Sequence, residues 1–181
     1  MMSILFSGVH GVGKGFFLEK VNKEIEGYNI FSASALIEKY QPATDAGYKK
    51  VSNVKNNQDV LIEAIKEAKL GEEKNFILDG HLCVFDSEEN VVRIPENFFI
   101  ETQIEGIILL QDEPNVILDR IQKRDANEIN LKSIKQMQDE ELEYAKELKE
   151  KYKISYAIVT HECTEIEFKK VIQGLGGEII E

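Results

Sequence analysis

The chain has 181 residues, of which 43% are hydrophobic and 30% are charged, and its formal net charge at pH 7 is −11. This length and composition fit one domain with one core and exclude disordered and membrane-embedded classes. The acidity argues against extended nucleic acid as a partner, which needs many basic contacts, and favours a small phosphorylated ligand. Since no signal peptide or bilayer-length apolar run is visible, we expect no membrane association and a cytoplasmic location; the oligomeric state stays open.

Short apolar runs alternate with longer amphipathic stretches along the chain, which indicates a parallel sheet flanked by helices. The predicted strands cover residues 3–7, 28–32, 75–79, 106–111 and 155–160. Their Ile, Leu, Val and Phe content suits strands that are buried on both faces. Helices are predicted over residues 14–26, 57–69, 114–123 and 131–152, and a last one begins after a T-x-x-E capping box at Thr164.

Two regions interrupt this alternation. Residues 33–56 are polar and rich in lysine, and residues 82–100 show little periodicity. In open α/β folds the loops at the carboxyl ends of the strands form the ligand crevice. We therefore predict that residues 33–56 are an insertion that covers the phosphoryl acceptor.

The stretch GVHGVGK, residues 8–14, follows a predicted strand and opens a predicted helix. In that context glycines let backbone N–H groups converge on a phosphate, and the helix N-terminus adds partial positive charge. Lys14 would then reach the β- and γ-phosphates of ATP. The residues predicted to bind the nucleotide are Gly8, Val9, His10, Gly11, Val12, Gly13, Lys14, Gly15 and Phe16. The alternative is a glycine-rich turn without a ligand.

This loop resembles that of the nucleoside monophosphate kinases, whose adenylate kinase members carry G-x-P-G-x-G-K-G-T. Five positions match that pattern: Gly8, Gly11, Gly13, Lys14 and Gly15. The chain departs from it at His10, which stands in place of proline, and at Phe16, which stands in place of threonine. Neither Gly15 nor Phe16 offers a hydroxyl group, which puts the affinity for Mg²⁺ in question.

The third predicted strand ends in the sequence FILDGH, whose Asp79 is placed like the carboxylate that holds Mg²⁺ directly or through water. DGH followed by RIPENFF resembles the D-x-H form of the archaeal adenylate kinases. The resemblance implies that Asp79 binds metal and substrate; a plain turn is the alternative. His81 contacts a phosphate or substrate group, or else serves as a structural hydrogen-bonding residue. Arg93 binds phosphate bidentately or lies on the surface.

The stretch LDRIQKRD places Arg120 and Arg124 four residues apart, on one helix face. Arginines can neutralise the negative charge that develops during phosphoryl transfer. The spacing resembles the R-x-x-x-R lid segment of adenylate kinases and implies a catalytic role for both residues, in a short lid-like segment over about residues 120–130. A plain solvated helix face is the alternative.

The acceptor side is the least defined. Adenylate kinases have an arginine for the acceptor phosphate after the second strand, and none is present in SASALIEKYQPATDAGYKK. Ser32 is a candidate to bind a ribose or phosphate, and Gln58 to contact a base edge. The acceptor is therefore expected to differ from AMP.

Together these features resemble short-lid adenylate kinases over most of the chain. The resemblance implies a single domain over residues 1–181, with the three-layer P-loop NTPase fold and a five-stranded parallel sheet flanked by helices. It also implies ATP and Mg²⁺ as ligands and transfer of the γ-phosphoryl group to a nucleotide or other small acceptor. An ATPase or switch module without an acceptor is the main alternative. Phosphorylation of a nucleic acid end is a third, which the acidity disfavours.

Overall fold

A five-stranded parallel sheet forms the centre of the fold, as seen in a computed structural model that describes residues 2–40, 54–71, 75–86, 88–124 and 129–176. The strands of the described chain are β1 (Ser3–Ser7), β2 (Tyr28–Ser32), β3 (Asn75–Asp79), β4 (Cys83–Phe85), β5 (Val91–Arg93), β6 (Gly106–Leu110) and β7 (Ser155–Val159). The order across the sheet is β2-β3-β1-β6-β7, and β4 and β5 pair as a separate antiparallel hairpin.

Strand β1 occupies the middle of the sheet, between β3 and β6. The chain first adds β2 and β3 on one side of β1 and then crosses to add β6 and β7 on the other side. All five residues of β1 and of β6 are buried, as expected for strands that helices cover on both faces. The strand order reverses at β1, so the ligand crevice of this fold is expected at the carboxyl end of that strand.

The helices pack around the sheet in three local groups. They are α1 (Lys14–Val21), α2 (Ala33–Tyr40), α3 (Val54–Gly71), α4 (Glu96–Thr102), α5 (Pro114–Arg124), α6 (Leu131–Tyr152) and α7 (Glu165–Gly174). Helix α1 contacts α7, α3 contacts both α2 and α4, and α6 contacts α5 and the hairpin. None of the described helices combines the length and apolar character needed to cross a membrane.

The structure confirms the predicted α/β fold and all five strands of the sheet. It also confirms the capping box at Thr164, where both reciprocal bonds to Glu167 are present. The first helix is shorter than predicted, because α1 ends at Val21 and the 3-10 turn Asn22–Glu24 follows it.

The two regions predicted to be irregular contain regular structure. Ala33–Tyr40 forms α2, because Leu36 and Ile37 pack against the core and the Ser32 hydroxyl accepts a bond near its start. Helix α3 begins at Val54, and residues 41–53 lie outside the described chain. Residues 82–100 contain the hairpin and the start of α4. The short antiparallel strands escaped prediction because each has only three residues.

Candidate nucleotide-binding site

The glycine-rich loop joins the end of β1 to the start of α1, as predicted. Gly11 and Gly13 have φ angles of 83° and 96°, in the left-handed region that favours glycine. Gly13 is the N-cap residue of α1 and has no side chain that could cap the first N–H groups of the helix. Exposed N–H groups and the helix dipole at this point favour an anion. The loop therefore has the backbone geometry of a phosphate site.

Lys14 is the first residue of α1, and its side chain is only 10% exposed. Its ammonium has three neighbours: the Gly8 carbonyl oxygen at 3.4 Å, His81 Nε2 at 3.4 Å and Asp79 Oδ1 at 3.6 Å. All three distances exceed the roughly 2.7 to 3.2 Å of a well-formed hydrogen bond. Burial lowers the pKa of Lys14, although the Asp79 and Glu141 carboxylates oppose this effect. The Asp79 carboxylate is thus the counter-ion of the ammonium, at a distance longer than a well-formed hydrogen bond.

Asp79 ends β3, and in the sheet it lies opposite Phe6 of β1 and Ser32 of β2. Burial raises the pKa of its carboxyl group, and the nearby Lys14 charge only partly offsets this. The structure places the Asp79 carboxylate 3.6 Å from the Lys14 ammonium. This proximity arises because the carboxyl ends of neighbouring parallel strands meet at one edge of the sheet.

His81 connects the end of β3 with the loop. Its Nδ1 lies 2.9 Å from the Gly8 carbonyl oxygen, which can only accept, so Nδ1 carries the proton and donates. Its Nε2 then presents a lone pair to the Lys14 ammonium. Burial lowers the pKa of His81 to about 3, with the Lys14 charge acting in the same direction. His81 is therefore neutral and lies between the Gly8 carbonyl oxygen and the Lys14 ammonium.

Glu141 on α6 was not predicted as a site residue, yet it lies behind the loop with 3% exposure. Its Oε1 accepts a hydrogen bond from the Ser7 hydroxyl at 2.7 Å and one from the Leu82 N–H at 3.4 Å. Burial raises the pKa of Glu141 to about 7, against the hydrogen bond from Ser7 and the Lys14 charge. Glu141 thereby joins α6 to the ends of the two strands that carry the loop and Asp79.

The outer side of the loop is held at the Val12 carbonyl. Arg120 on α5 donates to this oxygen at 3.1 Å and forms an ion pair with Asp112 at 2.9 Å. His161, which follows β7, has Nε2 2.6 Å from the same oxygen. Arg120, a predicted site residue, thus contacts the backbone of the loop, and so does His161, which sequence patterns did not single out. Arg124 ends α5, and its side chain lies outside the described residues.

Ser32, Gln58 and Phe16, which were also predicted as site residues, differ in their exposure and contacts. Ser32 sits beside Asp79 in register, and its hydroxyl contacts the Ser34 hydroxyl at 3.0 Å. Gln58 is half-buried near the start of α3. Phe16 is 72% exposed on the first turn of α1, with its ring 6.4 Å from that of His161.

Arg93, predicted either to bind phosphate or to lie on the surface, contacts acidic residues of α6 in the structure. Its Nε donates to Glu140 at 2.6 Å, and its two terminal nitrogens donate to Glu147 at 2.6 and 3.1 Å. Its guanidinium also lies 4.8 Å from the ring centre of Tyr144. These carboxylates occupy the N–H donors of Arg93 that a phosphate would need. Because both carboxylates are on α6, Arg93 also joins the β4–β5 hairpin to that helix.

The donor atoms suit a magnesium ion that arrives with a nucleotide. No cluster of three or more His, Cys, Asp or Glu side chains that could hold a metal occurs in the part of the chain that the structure describes. Mg²⁺ is usually held by one or two carboxylates together with substrate phosphates and water. Asp79, which is 25% exposed and next to Lys14, fits that role.

Comparisons with known proteins identify the same type of domain. Residues 7–138 match AAA_17, an AAA domain family, whereas no curated protein sequence matches. The tunicamycin resistance protein of Deinococcus radiodurans has a similar structure, with a TM-score of 0.62 and 12% identity over 99% of this chain and 98% of that one.

Two kinases are also similar in structure. A gluconokinase from Sinorhizobium meliloti 1021 gives a TM-score of 0.51 and 16% identity, over 97% of this chain and 91% of that one. A sugar kinase from Janibacter sp. HTCC2649 gives 0.54 and 16%, over 97% and 95%. Because the family match covers more than half of the chain and includes the loop, Asp79, His81 and Arg120, this protein belongs to the AAA_17 family of AAA domains, with the α/β fold of P-loop NTPases.

Proposed function

We propose that this protein is an ATP-dependent phosphotransferase that transfers the γ-phosphoryl group of ATP to a small acceptor. The observation that carries the proposal is the buried Lys14 ammonium at the start of α1, whose polar contacts with the described residues are 3.4 to 3.6 Å long. A buried cation in this state gains stability from an arriving anion. The P-loop family and the fold shared with a gluconokinase and a sugar kinase support the proposal.

In the proposed reaction the residues of this chain bind, orient and neutralise. The loop N–H groups and α1 hold the phosphates, and Lys14 neutralises the charge on the group that is transferred. Bound Mg²⁺ supplies further charge neutralisation between the phosphates, and Asp79 would hold it directly or through water. Arg120 and Arg124 are proposed to stabilise the developing charge from α5. Positioning and charge provide most of the catalysis in this class of reaction.

Within this class, the proposal retains an adenylate-kinase-like arrangement of the donor site. It rests on the G-K-G sequence at Gly13, Lys14 and Gly15, and on the D-G-H end of β3. On the acceptor side, Ser32 is proposed as a substrate contact because it lies beside Asp79 at the same edge of the sheet. Gln58 is kept as a weaker candidate for the same side.

The test measures ADP formation by the full chain with Mg-ATP, with and without a panel of small hydroxyl compounds and nucleoside monophosphates. A phosphotransferase forms ADP faster by at least tenfold with one class of acceptor, and the acceptor gains one phosphate for each ADP. A protein that binds no ATP contradicts the proposal. ADP formation that no member of the panel accelerates also counts against it.

A slow ATPase or switch module is the second candidate. It is favoured by one feature of the loop, since Gly15 and Phe16 provide no hydroxyl for Mg²⁺ or phosphate. For this candidate, the same assay would give inorganic phosphate equal to the ADP formed, at a rate independent of any acceptor. The ratio of free phosphate to phosphorylated acceptor therefore separates the two functions.

A further inference from the structure

We propose that the phosphoryl acceptor enters an apolar cavity beside His81 and is an uncharged small molecule with a hydroxyl group on an apolar body. This inference rests on the proposed function. From the nucleotide or other small acceptor expected from sequence it selects an uncharged small molecule, and it places that molecule against the cavity lining in place of Ser32 and Gln58. The cavity has a volume of about 240 Å³ and lies between the loop, the β4–β5 hairpin and α6.

The position of the cavity places it at the phosphate end of the site. Val9 and His10 of the loop line it, and so does His81, whose Nε2 is 3.4 Å from the Lys14 ammonium. Lys14 is the residue that reaches the terminal phosphates in a P-loop. A molecule in the cavity is therefore next to the group that would be transferred.

The walls of the cavity are apolar. Hairpin residues Val84 and Phe85 form one wall, and Ile134 and Met137 of α6 form another, with Ile129 between the loop region and α6. The described lining includes no lysine, arginine, aspartate or glutamate. Apolar surface favours an apolar ligand by about 25 cal/mol per Å² removed from water. Met137 can adapt to its shape, since methionine is flexible and polarisable.

The same lining disfavours a charged acceptor. A phosphate or carboxylate buried without a cation carries a large desolvation cost. Arg93 pairs with Cys83, a lining residue, across the hairpin, but its donors are bound to Glu140 and Glu147. The bonds from Arg93 to Glu140 and Glu147 also connect the hairpin to α6, and these two elements form the walls of the cavity. Arg93 therefore shapes the cavity and is not available to an acceptor.

The volume limits the size of the acceptor. Ligand pockets commonly measure about 300 to 1,000 Å³, so this one suits a small molecule or one part of a larger molecule. An apolar cavity of about 150 Å³ is large enough for benzene. One ring or a short branched chain that carries a hydroxyl group fits this range.

The reaction is a simple transfer. The hydroxyl oxygen of the acceptor forms a bond to the γ-phosphorus, and the bond between that phosphorus and the β–γ bridging oxygen breaks. ADP leaves with the electron pair of that bond. The hydroxyl proton passes to an oxygen of the transferred phosphoryl group and from there to solvent.

Binding to the cavity can be measured apart from turnover. The probes are benzyl alcohol, benzoate and benzyl phosphate, added to the full chain with Mg-ADP present. The reporter is the methyl NMR resonance of Met137, one of three methionines in the chain. We expect benzyl alcohol to shift this resonance at concentrations at least tenfold lower than either charged probe. A Met137 resonance that does not move, or equal binding of benzoate, overturns the inference.

Variants test the location. Val84→Phe fills the cavity from a half-buried strand position and should weaken benzyl alcohol binding at least tenfold, and Ile129→Trp, at another lining residue, should do the same. Val116→Phe is the matched control, since Val116 is 39% exposed on α5 and does not line the cavity. If both cavity variants bind like the unmodified protein, the location is wrong.

Kinetics distinguish this inference from the proposed function. With a panel of uncharged alcohols, Val84→Phe should raise the KM for the acceptor at least tenfold and leave the Kd of ATP unchanged. If a charged acceptor is phosphorylated and Val84→Phe has no effect on it, the cavity inference fails and the phosphotransferase function stands. If the protein binds no ATP, the proposed function fails, and with it any acceptor role for the cavity.

Discussion

Lys14 and Arg93 each contact acidic side chains. The two clusters differ in the exposure of the basic residue, in the distance to the carboxylates and in the direction of the pKa shift. The Lys14 ammonium is 10% exposed and meets the Asp79 carboxylate at 3.6 Å. The Arg93 side chain is 33% exposed and meets Glu140 and Glu147 at 2.6 Å. Burial lowers the pKa of Lys14, whereas hydrogen bonds to Glu147 and Glu140 raise the pKa of Arg93.

The difference separates a binding site from a structural connection. Arg93 satisfies its donors within the chain, so a further anion would have to displace a carboxylate. Among the described residues the polar contacts of Lys14 are 3.4 to 3.6 Å long, at the start of a helix, so an arriving anion can make a shorter contact than any of them. Contact distance and burial therefore distinguish the two cations, although both were candidate phosphate ligands by sequence.

The largest expected effect comes from Lys14→Met, which retains the volume of the side chain and removes its charge. Removing one charge-stabilising donor from an active site costs about 10²- to 10³-fold in rate. We expect ATP turnover to fall by about that factor, measured as ADP formed per minute. Thermal unfolding serves as the check on the fold. Turnover equal to that of the unmodified protein would remove Lys14 from the proposed site.

A second prediction concerns Glu141, whose pKa is raised to about 7 in the folded state by burial. The unfolded chain releases this proton near pH 4.5, so between about pH 4.5 and 7 the folded state binds more protons than the unfolded state. This group therefore lowers the free energy of unfolding as the pH rises through that window, by at most about 1.4 kcal/mol per pH unit. Glu141→Gln should remove this slope in urea unfolding measured from pH 5 to 8.

Glu147 provides the matched control, since its pKa is lowered, mainly by the Arg93 hydrogen bond. A carboxyl group whose pKa is lowered in the folded state stabilises the fold at pH values above its unfolded pKa. This contribution is lost as the pH falls through the folded pKa. Glu147→Gln should therefore reduce stability near neutral pH and have progressively less effect below about pH 4.5, the opposite of Glu141→Gln. Equal pH profiles for the two variants would contradict the contrast between the buried and the exposed carboxylate.

A third prediction uses Arg93→Met, the same substitution type as at Lys14. Well-formed surface ion pairs contribute up to about 1 kcal/mol. We expect a loss of about 1 kcal/mol in the free energy of unfolding, measured by urea denaturation, and an unchanged Kd for ATP. If Arg93→Met weakens ATP binding tenfold, Arg93 acts at the phosphates after all.

The contrast also shows which parts of the molecule are readable from sequence. The five strands follow from local apolar runs, and Lys14, Asp79 and His81 come together because each follows or ends a central strand. Glu141 lies on the same buried face of α6 as Ile134 and Met137, with helical spacing. Its carboxylate accepts a hydrogen bond from Ser7, which is 134 residues away in the chain.

The position of Arg93 depends on similar long-range contacts. Its carboxylate partners lie 47 and 54 residues further along the chain. Local sequence patterns show which arginines exist and which helix or strand holds them. They do not show which carboxylate a distant helix brings to meet them, and this explains why Arg93 resembled a phosphate ligand.

The smallest expected effect comes from restoring a hydroxyl to the loop with Gly15→Ser. A Cβ at Gly15 would have nothing within 4 Å, so the serine fits without strain. Its hydroxyl stands where other P-loops contact Mg²⁺, and we expect a rise of about two- to fivefold in Mg²⁺ affinity in the presence of ATP, about 0.4 to 1 kcal/mol. Gly13→Ser is the control that should lose activity, because its φ is 96° and a Cβ there would lie 3.0 Å from His161. If Gly15→Ser leaves the Mg²⁺ dependence of turnover unchanged, the missing hydroxyl is not what limits this loop, and Asp79 alone sets the metal affinity.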